Sequence, residues 1–316
     1  MNKKIRANFF LLTTAFIWGA AFVAQKEAMS YIGPFTFTCL RMFIGGTVLI
    51  PFIFILQKKG IVTADETPRI EGDALEAERG GEADAKRFDI DDPAFIGGFF
   101  CGVALFFACL FQQIGLVYTT AGKAGFITAL YIIIVPILGI FMKKKVGKII
   151  WFCVILAVVG IYFLCMEGDF TMGKGDLIVL LSAFGYAMHI ITVDRFASRG
   201  DPIKISCIQF FVCGALCLPT LIVEAPTLSA LLLAWLPIFY AGVISCGIAY
   251  TLQVVAQRDT TPTITAIILS FESVFAVLMG FLLLHEVMSL KEVAGCVLMF
   301  AAIILAQLPE KPQGAN

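Results

Sequence analysis

Apolar residues along this chain fall in runs far longer than a globular helix needs, set apart by short clusters of charged or turn-forming residues. A bilayer core about 30 Å thick takes roughly 20 apolar residues of helix. Ten runs approach or exceed that length, at 8–25, 34–56, 94–117, 120–142, 148–166, 176–194, 203–223, 232–256, 262–284 and 289–308. Most connections are short, which predicts consecutive antiparallel helices. The first run follows Lys3, Lys4 and Arg6 and imitates a secretory signal, but nine more follow, and cleavage after Gly19-Ala20-Ala21 would destroy it. It reads as an uncleaved first helix. The expected fold is therefore an all-α integral membrane protein.

Composition agrees and excludes other classes. Of 316 residues, 59% are hydrophobic and only 15% charged, which rules out a soluble enzyme. The 23 basic and 23 acidic residues cancel and leave no basic face for nucleic acid. All ten cysteines lie in apolar stretches, where Cys acts as a small buried hydrophobe, so no disulfide framework is expected. Cys213 and Cys217 are one helical turn apart but lack His or carboxylate company, so no metal site is read there. Nothing calls for a cofactor.

Charge does fix an expected orientation. With the N-terminus inside, inner segments hold 18 Lys and Arg residues, among them Lys3, Lys4, Arg6, Lys143, Lys144, Lys145 and Arg258, whereas outer ones hold only Lys26, Lys123, Lys174 and Lys291. Cytoplasmic loops retain positive charge, so both termini are placed in the cytoplasm of a multi-pass plasma-membrane protein, taken as bacterial. Residues 57–93 carry many Asp and Glu and hardly any aromatic residue. Such a segment cannot bury enough apolar area to offset its ordering entropy and reads as a flexible cytoplasmic loop, with a regulatory or partner-binding role as the alternative.

An internal repeat sets the architecture. The fourth run contains Thr128-Ala129 leading to Pro136, and the ninth contains Thr265-Ala266 leading to Glu272-Ser273; a shift of 137 residues superposes Thr128 on Thr265 and Pro136 on Ser273. Glutamines recur just upstream, at Gln112 and Gln113 and at Gln253 and Gln257. Pairing the fourth helix with the ninth makes the unit five helices, and an odd unit must cross the membrane in the opposite sense when repeated. Inverted repeats are the architecture of alternating-access carriers.

In these residues the chain resembles the EamA-type members of the drug/metabolite transporter superfamily. The resemblance rests on Trp18-Gly19-Ala20-Ala21-Phe22, Arg41, Gln113-Ile114-Gly115-Leu116, the stretch from Thr119 to Pro136, Glu272-Ser273-Val274-Phe275-Ala276 and His285-Glu286. It implies ten transmembrane helices in two inverted five-helix repeats, 1–166 with the polar loop 57–93 and 167–316, around a cavity lined mainly by helices 1–4 and 6–9. It also implies export or exchange of small metabolites. The sequence departs from the family pattern at Ser273, where Pro often follows Glu, at Lys143-Lys144-Lys145 where the second half has Glu286, and in the long loop 57–93.

Ionisable residues inside a span cost roughly 2.5 to 3.5 kcal/mol on insertion scales, so each needs a partner or a wet cavity. Counting about 1.5 Å per residue places Arg41 about 10 Å and Lys123 about 5 Å below the outer surface, Glu272 near the midplane and His189 about 12 Å from the inner surface. Arg41 either grips a carboxylate or phosphate or bonds backbone carbonyls and holds its helix. Lys123, among Gly122, Ala124 and Gly125, either faces a ligand or snorkels outward. Glu272 is the strongest candidate: a mid-depth carboxyl must be neutral or paired, and either state changes when a cavity opens to water, as coupling to protons or to a substrate amine requires. The alternative is a structural hydrogen bond to a neighbouring helix. A Glu272 and His189 proton relay is a further option. Trp18, Phe22, Tyr118, Tyr131, Tyr186, Tyr250 and Phe271 can wall an organic substrate or face lipid and core. Gln112, Gln113 and Gln253 are cavity candidates because an unpartnered amide in lipid is costly.

The leading function is secondary transport by alternating access of small metabolites such as amino acids or related organic solutes, as exporter or exchanger, across the plasma membrane. Its substrate and the bilayer are the expected partners; a homodimer stays open. A multidrug or cation exporter of the same superfamily is one alternative, an intramembrane enzyme or a channel another. Catalysis is disfavoured because the only histidines, His189 and His285, fall at opposite ends of the bilayer, so no catalytic residue is assigned. No P-loop pattern is present, which excludes ATP-driven transport within the chain.

Overall fold

The computed structural model describes residues 3–58, 92–119, 121–143, 146–165, 173–284 and 289–306. They are all-helical, with no strand among the described residues. The helices are α1 (Lys3–Ala28), α2 (Pro34–Lys58), α3 (Pro93–Tyr118), α4 (Ala121–Ala129), α5 (Tyr131–Phe141), α6 (Lys148–Cys165), α7 (Lys174–Ala197) and α8 (Pro202–Cys217). There follow α9 (Leu221–Glu224), α10 (Leu228–Leu233), α11 (Trp235–Phe239), a π-helical stretch (Tyr240–Tyr250), α12 (Thr251–Ala256), α13 (Pro262–Leu269), α14 (Glu272–Leu284) and α15 (Leu290–Ala306). Among the described residues, seven stretches are long and apolar enough to cross a membrane: Lys3–Ala28, Pro34–Leu56, Pro93–Tyr118, Ala124–Phe141, Lys174–Ala197, Pro202–Glu224 and Trp235–Ala256. Three shorter apolar segments, Lys148–Phe163, Pro262–Ala276 and Val293–Ala306, accompany them. The polar loop read at 57–93 falls, from 59 to 91, outside the described residues, as do His285 and Glu286.

Several helices start with proline at a first-turn position, where its missing N–H costs nothing. Asp92 caps α3 by accepting from Ala94 N at 2.8 Å, and Asp201 caps α8 by accepting from Ile203 N at 2.8 Å. Helix α2, which also begins with proline, is capped from elsewhere in the chain. The Glu224 carboxylate accepts from Phe35 N at 2.9 Å and Thr36 N at 2.7 Å. Gly33 makes room for this cap, because a Cβ there would coincide with the Glu224 carboxylate.

Two helices break in mid-course. Between α4 and α5, Leu130 N bonds back to Ile127 O, a tighter i−3 bond, and Pro136 further weakens the ladder of α5. Between α13 and α14, Phe271 N bonds to Ile268 O and Ser273 N to Ser270 O, again three residues back. The breaks meet where Tyr131, which opens α5, bonds Glu272, which opens α14, and Ser273 Oγ lies 3.4 Å from Gly125 O of α4. Helix α1 crosses α14 at Gly19, where backbone approaches backbone so closely that a Cβ would lie 2.7 Å from Glu272 O. At its ends α1 is held by Arg6 to Asp259 at 3.0 Å and by Lys26 Nζ to Leu116 O and Thr119 O at 2.6 and 2.9 Å.

The π-helical stretch runs through small residues, including Ala241, Gly242, Ser245, Cys246, Gly247 and Ala249, and packs on α1 and α2. Its widened bonding leaves carbonyls for outside donors, and Thr14 Oγ1 reaches Ala249 O at 3.0 Å. Tyr240 Oη donates in return to Ile17 O at 2.9 Å.

Candidate functional site

Spacing on α1 builds the first wall of an internal cavity: Trp18, Phe22 and Gln25, four and three residues apart, share one helical face. Opposite them stand Arg41 of α2, Gln112 of α3, Tyr186 of α7, and Ser245 and Tyr250 of the π-helical stretch. The broken helices close it with Thr128, Tyr131 and Glu272. Tyr131 is the first residue of α5 and Glu272 the first of α14, so each break turns one polar side chain inward. The space left among these groups is about 20 Å³, room for a water molecule or so.

Most polar atoms there are paired. Tyr131 Oη donates to Glu272 Oε1 at 3.2 Å. Tyr186 Oη donates to Gln112 Oε1 at 2.9 Å, and Gln112 Nε2 donates to Thr128 Oγ1 at 3.2 Å. Glu272, 3% exposed, also sits at the N-terminus of α14, where the helix dipole favours negative charge. Arg41 is 2% exposed; its Nη1 donates to Gln25 Oε1 at 3.0 Å and its guanidinium carbon lies 5.3 Å from the centre of the Phe37 ring. Its Nε and Nη2 have no hydrogen-bond partner among the described residues, nor has Trp18 Nε1. No described carboxylate lies within ion-pair distance of Arg41.

Of the residues the sequence singled out, the cavity gathers Trp18, Phe22, Arg41, Gln112, Tyr131, Tyr186, Tyr250 and Glu272. Gln113 is buried beside it and donates to Gln25 O at 3.4 Å. Gln253 Nε2 donates to Gln257 Oε1 at 2.9 Å, and Gln257 Nε2 donates to Ile190 O at 2.9 Å, a separate polar cluster. His189 pairs with Gln209 Oε1 at 2.9 Å rather than with Glu272, and an edge contact with Tyr250, 5.9 Å between ring centres, connects it to the cavity. Lys123 belongs to α4, but its side chain lies outside the described residues. Of the aromatic set, Tyr118 is exposed at the end of α3 and Phe271 packs on Phe275 and Phe300. Gln25, Thr128 and Ser245 were not among the candidates. Gln25 was findable by the argument that flagged Gln112, since an amide within an apolar run is costly wherever it falls; the hydroxyls of Thr128 and Ser245 carry no such signal. Among the described residues no group of three or more His, Cys, Asp or Glu converges as a metal site.

Multiple long apolar helices define a multi-pass membrane protein, and they enclose a buried cavity lined by Arg41 and Glu272. The model of the EamA-like transporter family matches residues 5–166 and 173–308. The chain belongs to that family, within the drug/metabolite transporter superfamily. It is 28% identical over 312 residues to an "uncharacterized transporter" of Archaeoglobus fulgidus, covering 97% of this chain and 87% of the relative. A second "uncharacterized transporter", of Methanothermobacter thermautotrophicus, is 24% identical over 314 residues, covering 96% and 87%. A solved crystal structure superposes with a TM-score of 0.70 over 95% of this chain and 96% of the other at 18% identity, a likeness of fold alone.

Proposed function

We propose that the protein is a secondary transporter that exports or exchanges small organic metabolites, amino acids or related solutes among them, across the plasma membrane by alternating access. In this reading ten helices form two inverted five-helix units, 1–166 and 167–316, with both termini in the cytoplasm. The two stretches matched by the family model, 5–166 and 173–308, support that division. So do the two broken helices, α4–α5 and α13–α14, whose breaks fall in the segments paired by the 137-residue shift, though offset from it by about one turn. The carrying observation is the cavity itself, which sits where these breaks meet and holds Glu272 and Arg41. Carriers with inverted repeats hold substrate at such discontinuous helices.

Counterflow tests the reading. Purified protein in liposomes preloaded with an unlabelled solute is offered the same solute labelled outside, over a panel of amino acids, amines, carboxylates, nucleosides and sugars. Uptake accelerated by at least one preloaded solute is the expected result. Flux without such acceleration marks a pore, and no flux of any panel member removes the reading.

A further inference from the structure

The unpartnered atoms of the cavity have one polarity. Among its lining residues the buried polar atoms without a partner are Arg41 Nε, Arg41 Nη2 and Trp18 Nε1, all donors. The two on Arg41 form one edge of the guanidinium, the side-on pair that offers two parallel N–H bonds to a carboxylate or phosphate. Gln25 occupies Nη1 and the Phe37 ring centre lies 5.3 Å from the guanidinium carbon, so the group is held on that side with the Nε and Nη2 edge free. Water can satisfy the donors but cannot neutralise the cation, and an unpaired charge in a dry interior is costly. Among the described residues, the one carboxyl lining the cavity is that of Glu272, carried on a different helix and bonded through a single tyrosine hydroxyl.

From this we infer that the cavity binds a zwitterion, an amino acid whose carboxylate is taken side-on by Arg41 and whose ammonium pairs with Glu272. The inference rests on the transporter reading above and narrows its substrate class. A zwitterion leaves neither fixed charge unpaired. A phosphate dianion would satisfy Arg41 but bring excess negative charge to Glu272, and an organic cation would leave Arg41 uncompensated. The rings of Trp18, Phe22 and Tyr250 line the same space and provide apolar surface for a side chain. The space in this conformation is too small for such a solute, so it binds as the helices around the cavity separate.

The test compares matched ligands on wild-type protein and on Arg41→Lys, which keeps the charge but not the fork. Purified protein is screened for thermal stabilisation by the common amino acids, by the amine obtained from each by removing the carboxylate, and by inorganic phosphate; hits are carried into counterflow. At least one amino acid is expected to stabilise and exchange, with its decarboxylated amine about tenfold weaker or worse. Arg41→Lys is expected to weaken the amino acid about tenfold or more while leaving the amine unchanged, so their ratio collapses. A purely structural arginine would lower the melting temperature and leave that ratio intact, which overturns the inference. It also falls if the amines match their amino acids on wild-type protein, or if phosphate alone stabilises. Counterflow of another solute with no amino acid bound refutes the zwitterion and keeps the transporter; absence of all counterflow removes both. The wild-type comparison needs no variant to fold.

Discussion

Replacing Gly19 by Ala adds one methyl group where α1 crosses α14. An ideal Cβ would sit 2.6 Å from Phe275 Cβ, 2.7 Å from Glu272 O and 2.8 Å from Ala276 N. Favourable heavy-atom contacts begin near roughly 3.5 Å, so the two helices must separate by about 0.7 to 1 Å. Two of the three clashing atoms belong to backbone, and no rotamer change relieves them. Overpacking of this kind costs about 1 to 3 kcal/mol. Gly125→Ala is the matched control, because a Cβ there meets only Phe22 Cε2 at 3.9 Å, an ordinary contact. Both substitutions gain about 0.8 to 1 kcal/mol of helix propensity, which cancels in the comparison. At about 2 to 4 °C per kcal/mol, Gly19→Ala is expected to melt roughly 2 to 12 °C below Gly125→Ala in the same detergent, read as loss of monodisperse protein on heating. Equal melting of the two would refute the close crossing of α1 and α14.

Three further outcomes are expected. Glu224→Ala uncaps α2 and should cost about 1 to 2 kcal/mol; Gly33→Ala displaces the same carboxylate, so the double variant should cost no more than Glu224→Ala alone, and additivity in a double-mutant thermal series would dissolve the link. Glu272→Gln keeps an acceptor for Tyr131 and removes the charge, so yield should hold while net transport falls by about an order of magnitude or more, whereas Glu272→Ala should itself destabilise by about 1 to 3 kcal/mol; near-normal net flux through the Gln variant would end the coupling role. A cysteine at Asp73 on a cysteine-free background should resist impermeant thiol reagents in intact cells and react once they are opened, and labelling from outside would invert the orientation.

Length and polarity were legible in the sequence; azimuth was not. Apolar runs mark where helices lie, and the cost of burying charge singled out Arg41 and Glu272, both of which line the cavity. In a span that is apolar all round, however, no stripe says which face turns inward. That is why Tyr118 and Tyr131, alike in sequence terms, part company: one ends exposed at the tip of α3, the other faces Glu272. The π-helical stretch was invisible for the same reason, since its small residues Gly242, Ser245 and Ala249 suit an α-helix equally well. Gln113 and Gln253 do not line the cavity: Gln113 donates to the backbone of the cavity residue Gln25, and Gln253 donates to Gln257.

The unlike fastenings of α1 have a practical consequence. The ion pair of Arg6 with Asp259 is part-exposed, at 46% and 20% for the two side chains, and dissolved ions compete with it: the screening length shrinks from about 10 Å at 0.1 M salt to about 3 Å at 1 M. The grip of Lys26 on two backbone carbonyls at 2.6 and 2.9 Å is more enclosed and opposes a charge to dipoles, so it yields less to electrolyte. Ionic strength therefore loosens the Arg6 end of this helix before the other, giving the experimenter a reversible chemical dial on one end of the molecule.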